Sequence, residues 1–176
     1  MRAPTFHLRT AAAGDEHALA LVGQATFLET FAGVIDGPDV VAHCRAQHAA
    51  ERYAEWLSRP DAYACIAEVE PGGAPIGYAL LAEPQLPIAD SRPTDVELKR
   101  IYVLSRYHGT GVGGALMDDA VRTARDRGYA RMLLGVYAGN ARALSFYARC
   151  GFTRIADRRF VVGRNEYADM VHAREL

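Results

Sequence analysis

The chain predicts a mixed α+β fold, and three stretches carry that expectation. Tyr63 to Glu70 and Ile76 to Ala82 are rich in strand formers and flank Pro71-Gly72-Gly73, the mark of a β-hairpin. Val96 to Leu116, VELKRIYVLSRYHGTGVGGAL, reads as a strand, a tight glycine turn and the opening of a helix. Near the C-terminus a helical segment, Ala141 to Cys150, precedes two strands, Phe152 to Val162 and Tyr167 to Ala173, joined at Gly163-Arg164-Asn165.

The remaining elements follow in order. Thr5 to Arg9 is a first strand, with Phe6 and Leu8 alternating. Asp15 stands where an N-cap belongs, before a helix carrying Leu19, Val22, Thr26, Phe27 and Phe31. Gly33 to Pro38 breaks that helix. Asp39 to His48 and Ala50 to Ser58 are two more helical segments, and Arg59-Pro60-Asp61 is a turn. Glu83 to Thr94 holds three prolines and reads as a loop. The helix after the glycine turn repeats apolar side chains at Val112, Leu116, Ala120, Val121 and Ala124, and Gly128 suits its C-terminal end. Arg131 to Tyr137 is a strand, and Asn140 is placed to cap the helix that Gly151 closes.

A chain of 176 residues, half hydrophobic and 23% charged, suits a single soluble domain over 1–176. No run of about 18 apolar residues is present, so no membrane association is expected. The first residues, MRAPTFHLRT, have no apolar core of a signal peptide. Cys44, Cys65 and Cys150 have no paired short spacing, which points to free thiols and a cytoplasmic location. Cys44 and His48 are one helical turn apart, but His43 is off that face and no third ligand is evident, so no metal is expected. Residues 1–97 hold 14 acids and 6 bases, whereas residues 98–176 hold 7 acids and 14 bases. Such a split suits an anionic cofactor beside the basic half and a cationic acceptor beside the acidic half; two solvated faces would also produce it.

Gly109, Gly111, Gly113 and Gly114 stand at the strand-to-helix turn. Glycine there allows positive φ and close ligand approach, and the free N–H groups of a helix start attract anions, phosphate above all. A glycine-rich corner with no ligand is the plain alternative. The Walker loop is excluded because Gly113-Gly114-Ala115 lacks its lysine and hydroxyl. Gly109, Gly111 and Gly114 match G-x-G-x-x-G, but Leu133-Leu134-Gly135-Val136, about 20 residues on, has no acid for a ribose. Within the preceding strand the apolar phase slips at Lys99-Arg100, from Val96 and Leu98 to Ile101 and Val103. Either a β-bulge or a strand covered on both faces accounts for the slip.

His108-Gly109-Thr110-Gly111-Val112-Gly113 resembles motif A of the GNAT superfamily of acetyl-coenzyme A-dependent N-acetyltransferases, Gln/Arg-x-x-Gly-x-Gly/Ala after a bulged strand. Its first position departs from the pattern, being His108. Asn140 to Phe152, NARALSFYARCGF, resembles motif B with its Asn, Phe-Tyr and Gly-Phe. The two motifs and their flanking strands span roughly residues 60 to 170. The resemblance implies a GNAT-like α+β fold: a mixed, mostly antiparallel sheet with helices on both faces and a splayed central parallel strand pair.

The resemblance also implies roles. Acetyl-coenzyme A would be the cosubstrate, with no metal. Its pyrophosphate would lie on His108, Gly109, Thr110, Gly111, Val112, Gly113 and Gly114. Its pantetheine arm would pair with the strand backbone at Ile101, Tyr102 and Val103, and Asn140 and Tyr147 would complete the cofactor contacts. Tyr147 would be the general acid for the departing thiolate, although a tyrosine there is also a natural core aromatic. Glu97 would be the base, although it could equally be ion-paired with Lys99 or Arg100; His172 and Tyr102 are lesser candidates.

The implied acceptor is a primary amine, on a small molecule or a peptide. Ala25 to Ala32, ATFLETFA, together with Glu97 to Val103, ELKRIYV, looks like the bacterial polyamine N-acetyltransferase branch. The resemblance allows a homodimer. Nucleic-acid binding is not expected, since no basic stripe is interleaved with aromatics in the acidic half. A non-catalytic acyl-coenzyme A sensor is the rival reading: Glu97 and Tyr147 favour the enzyme, and His108 favours the sensor.

Overall fold

The computed structural model describes residues 5–176; residues 1–4, the start of the domain expected over 1–176, lie outside the described residues. Among the described residues the strands are β1 Phe6–Thr10, β2 Tyr63–Val69, β3 Ala74–Ala82, β4 Asp95–Val103, β5 Arg131–Tyr137, β6 Thr153–Val162 and β7 Asn165–Glu175. They form one sheet in the order β1-β2-β3-β4-β5-β7-β6. The helices are α1 Glu16–Phe31, α2 Gly37–Gln47, α3 Ala50–Leu57, α4 Val112–Asp126 and α5 Ala141–Arg149. The neighbouring pairs are antiparallel apart from β4 and β5, which run parallel and are joined through α4. This is the mostly antiparallel α+β sheet that the sequence predicts.

Each face of the sheet carries helices because each has its own apolar layer. On one face Val96, Leu98, Met132 and Leu134 pack under Leu116, Met117 and Ala120 of α4, with Leu144 and Phe146 of α5 alongside. On the other, Ile66, Tyr78 and Leu80 pack under Leu19 and Val22 of α1 and Tyr53 of α3. A Cβ on Gly23 would lie 2.3 Å from the Tyr53 hydroxyl and 2.6 Å from His48 Nδ1, so α1 crosses this layer only with glycine at that point.

Several boundaries move for local reasons. Helix α2 starts at Gly37, two residues before the expected Asp39, because Pro38 in a first turn needs no N–H partner. Strand β7 runs to Glu175 because β5 pairs along its length, Arg131 with Glu175. Asp15 occupies the N-cap position of α1 without capping it. Its carboxylate instead accepts the Arg9 guanidinium at 2.7 and 2.8 Å and the Ala12 N–H at 2.8 Å. A bidentate charged fork is stronger than a single neutral amide donor.

The feature that positions the site is the short contact between β4 and β5. Pairing covers Asp95 with Arg131, Val96 with Met132 and Glu97 with Leu133, and ends there. Beyond that point β4 stays with β3 to Val103, and β5 stays with β7 to Tyr137. Strand β4 also carries a bulge: Leu80 pairs with Arg100 and Leu81 with Leu98, leaving Lys99 as the extra residue. The bulge accounts for the phase slip in the sequence. It keeps Val96, Leu98, Ile101 and Val103 on the α4 face and turns Glu97, Lys99 and Arg100 to the other.

The closed end of the splay is fastened by charge. Arg131 bonds Asp95 at 2.8 and 2.7 Å and Asp90 at 2.8 Å. The Asp95 and Arg131 side chains are 0% and 3% exposed. Burial alone would raise the Asp95 carboxyl, but the bonds from Arg131 and the Arg92 N–H outweigh it and hold the pKa below the ordinary 3.8. The stabilisation is therefore fully present above about pH 4 and is lost as pH falls through the lower folded value. Asp95→Asn leaves Arg131 buried with half its partners. Urea denaturation at neutral pH should show a loss of about 3–5 kcal/mol. Unfolding free energies equal to the parent's would show that the pair does not clamp the strands.

Candidate active site

Strand β4 runs through a single 3₁₀ turn, Ser105–Tyr107, into the glycine loop and α4. Gly109 and Gly111 have φ of 77° and 97°, a region that side-chain-bearing residues resist. The N–H groups of His108 and Thr110 are spent on the carbonyls of Ser105 and Tyr107. Those of Gly109, Gly111, Val112, Gly113 and Gly114 have no acceptor among the described residues. Five free donors at the positive end of a 15-residue helix make a strong anion site. Val112 contributes only its backbone, because its side chain is buried under β4. The loop itself is held to α1: Glu29 accepts the N–H of Ser105 at 3.0 Å and its hydroxyl at 2.9 Å.

His108 does not point at this nest as a phosphate donor. Its Nε2 lies 2.8 Å from the Val103 carbonyl, and its Nδ1 meets the guanidinium of Arg142. The ring is therefore placed to donate to the backbone and to accept from Arg142. Arg142 sits in the first turn of α5, where a cation opposes the helix dipole. That placement was the sequence signal for a residue at the anion site, and the motif comparison passed over it.

Past Glu97, the edge of β4 that faces β5 has no strand partner among the described residues. Ile101 and Val103 turn their side chains to the α4 face, while Tyr102 packs against Tyr78 and His48 on the other. What these three residues offer to a ligand in the gap is therefore backbone. Gly113 faces the same gap, with a Cβ built there 3.7 Å from the Phe146 ring.

Across the gap, Asn140 caps α5 by accepting the Ala143 N–H at 3.0 Å. Tyr147 is 9% exposed and wedged between Phe146 and Phe152. Burial first, then proximity to Tyr102 and Cys150, pushes its phenol well above the ordinary 10.0, so it stays protonated. The sequence left a core aromatic and a proton donor as alternatives; the side chain is buried, and it is built on the helix that borders the gap.

On the opposite face Glu97 is 8% exposed, and its Oε2 takes Lys99 Nζ at 2.7 Å and the Gln85 N–H at 2.8 Å. The Lys99 ammonium also lies 5.7 Å from the Trp56 ring centre. His172 is 8% exposed, registers with Leu134 and Arg154, and its Nδ1 has no partner among the described residues. His48 Nδ1 lies 2.8 Å from the Tyr53 hydroxyl. The acidic N-terminal half does not make this face acidic. The cavity beside Gln85 is lined by Arg52, Glu55 and Arg59 of that half, together with Arg100, so cations outnumber acids there. A charge count over half a chain does not say which side chains meet.

The family model for the acetyltransferase (GNAT) family matches residues 27–152, which include both loops, the splayed strand pair and α4. The chain belongs to the GNAT family. An N-acetyltransferase of Mycobacterium tuberculosis, described as uncharacterized, is 36% identical over 162 residues, covering 92% of this chain and 98% of that one. A second such protein, from Lactobacillus delbrueckii, is 24% identical over 155 residues, covering 88% of each. Among solved structures, PaiA N-acetyltransferase from Thermoplasma acidophilum, in complex with coenzyme A, superposes with a TM-score of 0.80 at 19% identity, covering 98% and 99% of the two chains. The ribosomal-protein-S18-alanine N-acetyltransferase of Escherichia coli gives 0.70 at 17%, covering 97% and 94%.

This chain is thus a GNAT N-acetyltransferase. Ile101 to Val103 lie on the stretch of β4 beyond its pairing with β5, the glycine loop follows that strand, and Asn140 and Tyr147 belong to α5, whose Phe146 approaches Gly113. Glu97 stands at the apex, where the strands part. Gly111→Val adds a β-branched side chain at φ 97°, though nothing lies within 4 Å of a Cβ there. The variant should fold, and coenzyme A affinity measured by calorimetry should fall at least about tenfold as the loop donors are displaced. Equal affinity in the folded variant would move the anion site elsewhere.

Proposed function

We propose that this protein, acting as one unit over residues 1–176 in the cytoplasm, transfers an acetyl group directly from acetyl-coenzyme A to a primary amine. The acceptor is a small molecule or a peptide, and polyamines fall within that class. The observation that carries the reading is the unpaired inner edge of β4 leading straight into five free N–H donors at the head of α4. An extended arm ending in a pyrophosphate needs that arrangement: strand-like pairing along the arm, then anion donors at its end.

The residues divide the chemistry between them. The N–H groups of Gly109 and Gly111 to Gly114 hold the pyrophosphate. The β4 backbone near Ile101 holds the thioester and polarises its carbonyl. Glu97 accepts the proton of the amine, directly or through water, as nitrogen bonds to the carbonyl carbon. Tyr147 gives its proton to sulfur as the C–S bond breaks, and its raised pKa keeps that proton in place beforehand. Release of free thiol from acetyl-coenzyme A with a panel of amines tests the reading. Coenzyme binding without thiol release on any amine would leave a sensor.

Tyr147→Phe keeps the ring and its packing and removes the proton. Turnover should fall by roughly 10²–10⁴-fold while coenzyme affinity holds, a pattern that separates a chemical role from a binding one. Parental turnover at saturating amine would make Tyr147 a core aromatic and nothing more.

Glu97→Gln should shift the pH–rate profile upward, because alkaline solution then supplies the neutral amine. That change leaves the buried Lys99 ammonium without its counter-charge, so Glu97→Gln/Lys99→Met is the companion variant. A folded variant whose profile overlays the parent's would assign Glu97 to structure alone.

A further inference from the structure

Beside the apex of the splay, on the face away from α4, lies a cavity of about 210 Å³ bounded by Gln47, Glu55, Trp56, Arg59, Gln85 and Arg100, with Arg52 beside Glu55. Gln85 joins it to the proposed base, since its N–H bonds the Glu97 carboxylate and its side chain meets Lys99. The cations around it are nearly all matched. Arg52 pairs with Glu55 at 2.8 Å, Arg59 with Asp61 at 2.8 Å, and Lys99 with Glu97 at 2.7 Å.

Arg100 is the exception. Its Nη2 donates to the Gln47 carbonyl at 2.8 Å, and its guanidinium lies 5.0 Å from the Tyr53 ring centre. Among the described residues its Nη1 is buried with no hydrogen-bond partner, and no carboxylate forms an ion pair with it. The groups that face it are neutral. Tyr53, Tyr78 and Tyr102 remain phenols; burial, then Arg100 itself and His43, push His48 down to about 2, and burial and Arg100 push His43 to about 4. An enclosed guanidinium without a counter-charge is costly unless an anion completes it.

We propose that the acceptor amine carries a carboxylate and that Arg100 receives it, with the amine directed past Gln85 toward Glu97. This deepens, and rests on, the acetyl-transfer reading. Three features select the class. A planar guanidinium edge with one Nη already used suits a planar, singly charged carboxylate. The cavity is smaller than the ~300–1,000 Å³ of pockets for drug-sized ligands, which fits an amino acid-sized acceptor. A polycation would meet a cavity lined by three guanidinium groups and a single carboxylate, Glu55, which Arg52 already pairs.

The test uses matched amines that differ by the carboxylate: ornithine and putrescine, tyrosine and tyramine, leucine and isoamylamine. Rates are compared per neutral amine on the intact protein with saturating acetyl-coenzyme A. The carboxylate-bearing member of at least one pair should have the higher kcat/KM by about tenfold or more. Arg100→Gln should raise KM for that substrate by roughly 10–100-fold with a much smaller effect on kcat, the loss expected of a bond to a charged group. Arg100→Lys should restore part of it. Thermal melting identifies a variant that fails to fold, in which case the parent and Arg100→Lys ratios decide. Preference for putrescine and the other decarboxylated amines, or a folded Arg100→Gln that keeps the discrimination, overturns the carboxylate and leaves acetyl transfer standing. Coenzyme binding with no thiol release from any amine overturns both.

Discussion

The structure depends on a strand pair that is held at one end and released at the other. Strands β4 and β5 share three register positions, and the buried Asp95–Arg131 pair lies at the first of them. Parallel strands flanked by a crossover helix would ordinarily zip along their length. Here each strand is instead satisfied on its outer side, β4 by β3 and β5 by β7, so the inner edges diverge without stranding a whole ladder. The gap is the cost of that arrangement and also its use, because unpaired strand edges are competent to bind an extended ligand.

The Lys99 bulge makes the two faces of β4 do different work. One extra residue lets Val96, Leu98, Ile101 and Val103 all serve the core under α4. It also sets Glu97, Lys99 and Arg100 close together on the opposite face. An unpaired backbone edge and a charged cluster thus lie within a few residues on a single strand. The turn that follows is tied back to α1 by Glu29, so α1 and the glycine loop share a fixed frame.

Electrostatically the two sites follow different rules. At the head of α4 the positive potential comes from oriented backbone, with Arg142 nearby and His108 between it and Val103. On the Glu97 face it comes from side chains that are mostly neutralised by partners, so the meaningful residue is the one left over. Arg100 stands out by the absence of a carboxylate and not by exposure or by membership of a basic patch.

Much of this was legible in the sequence. Periodicity and turn residues located the strands and helices, because alternation and capping are local properties. The apolar phase slip pointed to the bulge, and the glycines marked the anion loop, since both record what the backbone must do at those positions. Asn140 as a helix cap was equally local. The sequence could not say how far β4 and β5 stay paired, because that depends on what β3 and β7 offer their other edges. Nor could it say that Asp15 would turn to Arg9, that His108 would meet Arg142, or that Arg100 would be left without a carboxylate near residues more than forty positions away. Those outcomes depend on competition among partners brought together from distant parts of the chain, and only the folded arrangement decides which of them meet.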